Sequence, residues 1–177
     1  MSGFAPRCVA LVRHPSTPAP AVRRIDVELA STPEGGLRLR YFLDGDVNGI
    51  VLPATAEPRQ ADGLWQHTCF EAFIAGQAST AYFEFNFSPS SQSAVYGFTS
   101  YREGMAPLEH VLPPQVATSI TGDRIALEAV VQRETLLGLP GAATLRLGLA
   151  AVIERADGGL SYWALAHPSE RPDFHDP

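Results

Sequence analysis

Lysine is missing from this 177-residue chain, whose 13 Lys and Arg positions are all arginine. Without lysine there is no Schiff-base nucleophile, no amine general base and no phosphate-binding P-loop. Cysteine is nearly missing too: Cys8 and Cys69 are the only two. That is too few for a disulfide framework or a four-cysteine zinc site, and both read as free thiols. No apolar run approaches the length of a membrane-spanning helix. The stretch from Met1 to Leu11, broken by Pro6 and Cys8, lacks the apolar core of a secretory signal. The expectation is a cytoplasmic protein with no membrane partner. Basic charge is scarce as well, since 13 arginines face 19 acids for a formal net charge of -6. That balance repels a phosphate backbone and argues against nucleic acid. Gly-x-Ser-x-Gly, His-Glu-x-x-His and the glycine pattern of dinucleotide-binding folds are all absent.

What is present is a strand pattern. At 45% hydrophobic, the chain suits one globular domain over residues 1–177 with a substantial core. Its 15 glycines and 15 prolines cut the apolar runs too short for ordinary helices. Alternation predicts strands over Val9–Arg13, Arg24–Ala30, Leu37–Leu43, Gly49–Leu52, Gln66–Ile74, Ala81–Phe87, Ser93–Thr99, Val116–Thr121, Arg124–Gln132, Thr144–Glu154 and Leu160–Ala166. One short helix is expected over Arg133–Leu139, stopped by Pro140-Gly141. The fold class is therefore all-β: an antiparallel two-sheet sandwich, jelly-roll-like or immunoglobulin-like, with at most one or two short helices. Asp44-Gly45-Asp46-Val47-Asn48-Gly49 copies the start of a calcium loop, but Thr55 stands where a bidentate glutamate is needed, so a hairpin turn is expected.

The chemistry concentrates between Trp65 and Arg102. In Tyr82-Phe83-Glu84-Phe85-Asn86-Phe87-Ser88 the phenylalanines alternate strictly with Tyr82, Glu84, Asn86 and Ser88. One face is core and the other is polar. The preceding run divides in the same way, with His67, Cys69, Glu71 and Phe73 opposite Phe70, Ala72 and Ile74. The short connection Ala75–Ser79 predicts a hairpin. If its register sets Glu71 opposite Glu84, the pair needs a shared proton, an arginine, a cation or a ligand hydroxyl between them.

Taken together, Leu43-Asp44-Gly45-Asp46, Asp62 to Phe73, Tyr82 to Asn86, Tyr101 to Met105, Tyr162 to Pro168 and Pro172 to His175 resemble the DOMON-like domains related to family 9 carbohydrate-binding modules. The resemblance spans most of the chain. It implies a β-sandwich with a ligand face, in a superfamily whose members bind sugars or haem. It also implies aromatic residues stacked on a sugar, for which Trp65 and Trp163 are the available tryptophans. The sugar-binding relatives carry structural calcium as well.

The expected function is a non-catalytic module that holds a small hydroxylated ligand, a sugar above all, and needs no cofactor. The candidate ligand-binding residues are Trp65, His67, Glu71, Glu84, Asn86, Arg102, Trp163, His167 and His175. Carboxylates and a guanidinium fix hydroxyl orientation, while an aromatic ring buries the C–H face of a sugar. Two alternatives stay open. One is a hydrolase-like enzyme using Glu71 and Glu84 with His67. The other is a haem domain with Met105 as axial ligand. No two of His67, His167 and His175 stand at a metal-binding interval. The last residues around His175 are expected to lie ordered across the sheet, since a free tail so close to a chain end would fray.

Overall fold

The computed structural model describes residues 5–141 and 144–175. Its strands are β1 (Arg7–Arg13), β2 (Val22–Ser31), β3 (Leu37–Gly45), β4 (Cys69–Gly76), β5 (Tyr82–Phe87), β6 (Ser93–Phe98), β7 (Ala106–Pro107), β8 (Gln115–Thr121), β9 (Arg124–Val131), β10 (Leu145–Glu154) and β11 (Leu160–Ala164). The one α-helix is α1, Arg133–Leu137. Two expectations shift. Residues 49–52 form no strand, because Val47–Gly49 is a 3-10 turn followed by a single bridge between Ile50 and Arg155. Residues 66–68 stand outside β4, because Leu64–Gln66 is another 3-10 turn, entered through Gly63 at φ 71°.

The eleven strands are antiparallel and lie in the order β7-β6-β5-β4-β10-β11-β1-β2-β3-β9-β8. The expected division into two separate sheets is replaced by one sheet curled into a half-barrel. The seam is β1. Its residues 7–11 pair with β2, while Val12 and Arg13 pair with β11, so a single strand carries the hydrogen-bond ladder from one half to the other.

Curling turns one face of each half toward a shared core. β3 alternates buried Leu37, Leu39, Tyr41 and Leu43 with solvent-facing Arg38 and Arg40, the period-2 pattern of a half-buried strand. Across the core, Phe70, Ala72 and Ile74 of β4 and Phe85 and Phe87 of β5 are fully buried. The Tyr41 ring lies 5.0 Å from Phe70, and its hydroxyl donates to the Glu71 carbonyl oxygen at 2.8 Å. That bond satisfies the polar end of a large buried side chain.

The two halves differ on their outer faces. The outer side of β2, β3 and β9 is charged and wet, carrying pairs such as Arg124–Asp44 at 2.6 Å. Every residue of β4 is buried. The outer side of β4, β5 and β6 therefore has a cover of its own, a second apolar cluster in which Leu64, Trp65 and Phe174 pack on Phe73, Tyr82, Tyr96 and Phe98.

Candidate functional site

The period of the strands places Cys69, Glu71 and Phe73 of β4 beside Tyr82, Glu84 and Asn86 of β5 on this outer face. In the observed register Glu71 stands opposite Asn86, and Glu84 stands opposite Phe73. The observed register thus differs by two residues from the one that would set Glu71 against Glu84. An even displacement leaves every side chain on its own face. It moves the carboxylates from directly opposed to diagonal, which relieves their repulsion.

Glu71 is only 3% exposed, and its Oε1 atom has no hydrogen-bond partner. Burial, reinforced by Glu84, pushes its carboxyl well above the usual carboxylate range. Burial also raises Glu84, against the pull of Asn86 and Arg102; Asn86 Nδ2 donates to Glu84 Oε1 at 2.7 Å. The Cys69 thiol lies 3.6 Å from Asn86 Oδ1 and is held protonated by burial. An enclosed thiol of this kind is inert.

The segment after β11 crosses this face, as expected. Arg102 Nη2 donates to Asp173 Oδ1 at 2.8 Å, and the Tyr101 hydroxyl donates to Asp173 Oδ2. The Phe174 ring packs 6.4 Å from Phe73 and 5.8 Å from Tyr162. The His175 ring sits edge-on to Phe73 and Phe98, both at 5.1 Å. Its Nδ1 is 2.7 Å from the Tyr82 hydroxyl, and its Nε2 is 3.7 Å from Glu84 Oε2. The Tyr82 oxygen also accepts the Arg102 backbone N–H at 3.3 Å. Burial and then Arg102 lower the His175 pKa to about 4, so the ring is neutral at pH 7.

The root of this segment is held by histidines. His167 Nε2–H donates to the Val12 carbonyl at 2.7 Å. The ring of His14 stands edge-on to it at 4.8 Å, and His14 Nε2 reaches the Ser169 carbonyl at 3.3 Å. Beside the segment lies a cavity of about 1040 Å³ lined by Phe73, Tyr82, Arg146, His167 and Phe174, among others.

The candidate residues divide accordingly. Glu71, Glu84 and Asn86 share one face, and Trp65 caps its edge at 5.6 Å from Tyr96. Arg102 anchors Asp173 and acts on Glu84 through its charge. His167 and His175 hold the crossing segment. His67 is elsewhere: it follows the 3-10 turn, exposed, with Nδ1 2.8 Å from Glu154. Trp163 faces the shared core at 6% exposure, its indole N–H donating to Ser161 Oγ at 3.2 Å. Tyr162 points outward in its place, which corrects Trp163 as an apolar floor. Met105 is half exposed in a turn beyond the face. Asp173 and Phe174 enter the sequence reading only within the Pro172 to His175 motif, and Phe98 only as part of a strand; Phe98 is legible from the alternation of β6, whereas the contacts of 173–175 leave no periodic signal.

Fold and face together define an all-β protein with an aromatic and carboxylate surface, partly covered by its own chain, on the outer side of a curled sheet. No protein-family model and no curated protein matches the chain. Among solved structures it is similar to a crystal structure of a "putative carbohydrate-binding protein" from Bacteroides uniformis ATCC 8492, with a TM-score of 0.72 and 15% identity, over 97% of this chain and 82% of that one. At that identity the likeness establishes the fold.

Proposed function

We propose that this protein is a non-catalytic module that binds a small hydroxylated ligand, most simply a carbohydrate, on the outer face of β4, β5, β10 and β11. The carrying observation is the cavity of about 1040 Å³. Its size suits a small ligand, and its lining combines aromatic rings with a few polar groups, the mixture such sites use. Phe73, Tyr82 and Phe174 offer ring surface for C–H faces. Arg146 offers hydrogen bonds to hydroxyls. The structural neighbour described as carbohydrate-binding supports the same reading, as does the resemblance to DOMON-like domains and family 9 carbohydrate-binding modules. Glu71 and Glu84 lie beneath this face, Glu84 3.7 Å from His175. Proton transfer to a substrate is not their role in this reading, since Glu71 is enclosed and His67 is remote. Neither haem nor a metal is required.

Calorimetry or ligand-observed NMR against mono- and disaccharides tests the proposal. Affinities on the order of 1 µM to 1 mM are expected, because few groups are desolvated. Arg146→Ala, a surface change, should weaken binding about tenfold, the loss of about 1.4 kcal/mol. Silence across the panel with the wild-type chain and with variants that uncover the face would sink it.

A further inference from the structure

The segment 169–175 sits on the sheet as a guest does. Among the described residues, no backbone-to-backbone hydrogen bond ties 168–175 to any strand. Side chains hold it: Asp173 to Arg102 and Tyr101, Phe174 on Phe73, and His175 against Phe73, Tyr82 and Phe98. A strand that belonged to the sheet would use its ladder. A bound molecule has only its own polar edges and apolar faces.

We infer that the seat beneath His175, walled by Phe73, Tyr82 and Phe98 and edged by the Tyr82 hydroxyl and Glu84, is a ligand site in which His175 is the resident stand-in, exchanged for a neutral, ring-shaped, hydroxylated ligand such as an uncharged pyranose. The inference rests on the ligand-binding reading above and adds the place, the mode of entry and the charge of the ligand. The seat adjoins the cavity: Phe73 and Tyr82 wall the seat and also line the cavity, as does His175, which fills the seat. Its chemistry is two-sided. The Tyr82 hydroxyl, able to donate or accept, lies 2.7 Å from one ring nitrogen, and Glu84 Oε2 lies 3.7 Å from the other. Sugar hydroxyls serve both, because each donates and accepts.

Charge is selected against in both directions. A cation would forfeit its hydration on burial, the main cause that keeps the His175 ring neutral, with Arg102 opposing it further and Asp173 offsetting part of that. An anion would meet Glu84. A ligand must also displace the resident group, so apparent affinity is reduced by the fraction of molecules in which the seat is closed.

The test uses the full chain and two variants, His175→Ala and Asp173→Asn, with imidazole, glucose, glucosamine and glucuronate as probes in NMR and calorimetry. Hydrogen exchange across 168–175 runs in parallel. Imidazole should fill the seat of His175→Ala and not that of the wild type. Glucose should bind His175→Ala about tenfold more tightly than it binds the wild type, with both charged analogues weaker. Asp173→Asn should raise exchange in 168–175, leave β4 and β5 protected, and strengthen glucose binding in the same direction. Equal glucose affinity in wild type and variants would overturn the seat and leave the ligand-binding reading standing. Failure of glucose to bind any of the three proteins, even with imidazole lodged in the variant, would overturn both.

Discussion

Glu71 holds a carboxyl in a place where an ionised one is hard to keep. With one oxygen unpartnered and 3% exposure, an ionised group would forfeit its hydration for no compensating bond, a penalty of several kcal/mol. Burial and Glu84 therefore keep it protonated well past the ordinary carboxylate range. The folded protein binds this proton more tightly than the unfolded chain does. Its stabilising effect is complete below the unfolded pKa and is lost as pH rises through the raised folded value. Thermal denaturation of the wild type should accordingly show a Tm that declines as pH rises above the ordinary carboxylate range. Glu71→Gln has no proton to lose, so its Tm should be flatter over the same rise. A parallel decline in both proteins would mean that some other group carries the dependence. The two tryptophans show how far position outweighs residue type. Trp163 is sealed in the shared core, and Trp65, at the mouth of the outer face, rests on Tyr96.

Among the elements, β4 bears the site and is held most closely. Its last residue, Gly76, has no room for a side chain: an added Cβ would meet the Pro140 carbonyl oxygen at 2.0 Å and the Gly141 backbone at 2.8 Å. The loop that follows α1 thus presses on the end of β4, and only glycine permits that approach. Gly76→Ala should destabilise by about 1–3 kcal/mol, the usual range for forced overpacking. In urea this would appear as a lower midpoint at unchanged m-value. An unaltered midpoint would mean that the loop yields freely and does not pin the strand. The register of β4 on β5 shows the limit of pattern reading at this scale. Alternation assigned the faces of Glu71, Glu84 and Asn86, because the side-chain period is two. It could not choose between pairings two residues apart, which satisfy the same alternation. Gln66 and His67 read as the start of the strand, yet Gly63 in a left-handed conformation starts a 3-10 turn there, closed by the His67 N–H to the Leu64 carbonyl at 3.2 Å.

For the whole molecule, the pairings that close the sheet join residues far apart in the chain. β1 meets β11, β3 meets β9 and β4 meets β10. Each such contact requires a long loop to close before it contributes, so folding is expected on the millisecond-to-second scale typical of β-rich chains. Stopped-flow refolding followed by tryptophan fluorescence measures this directly. Microsecond relaxation would contradict a transition state built on these distant pairings. The curl itself depends on β1, which divides its residues between β2 and β11 and makes one sheet of what would otherwise be two.

The amino-acid order alone determined the all-β class, most strand positions, and the sorting of Phe85 and Phe87 inward and Glu84 and Asn86 outward. All of these follow from local periodicity and turn chemistry, which act over a few residues. Tertiary structure decided that there is one curled sheet, that Glu71 pairs with Asn86, that Trp163 faces the core, and that His175 lies in an aromatic seat beside Glu84. These outcomes depend on contacts between segments remote in sequence, Arg102 with Asp173 and Tyr82 with His175 among them. Packing and charge select such contacts only once the chain has closed on itself.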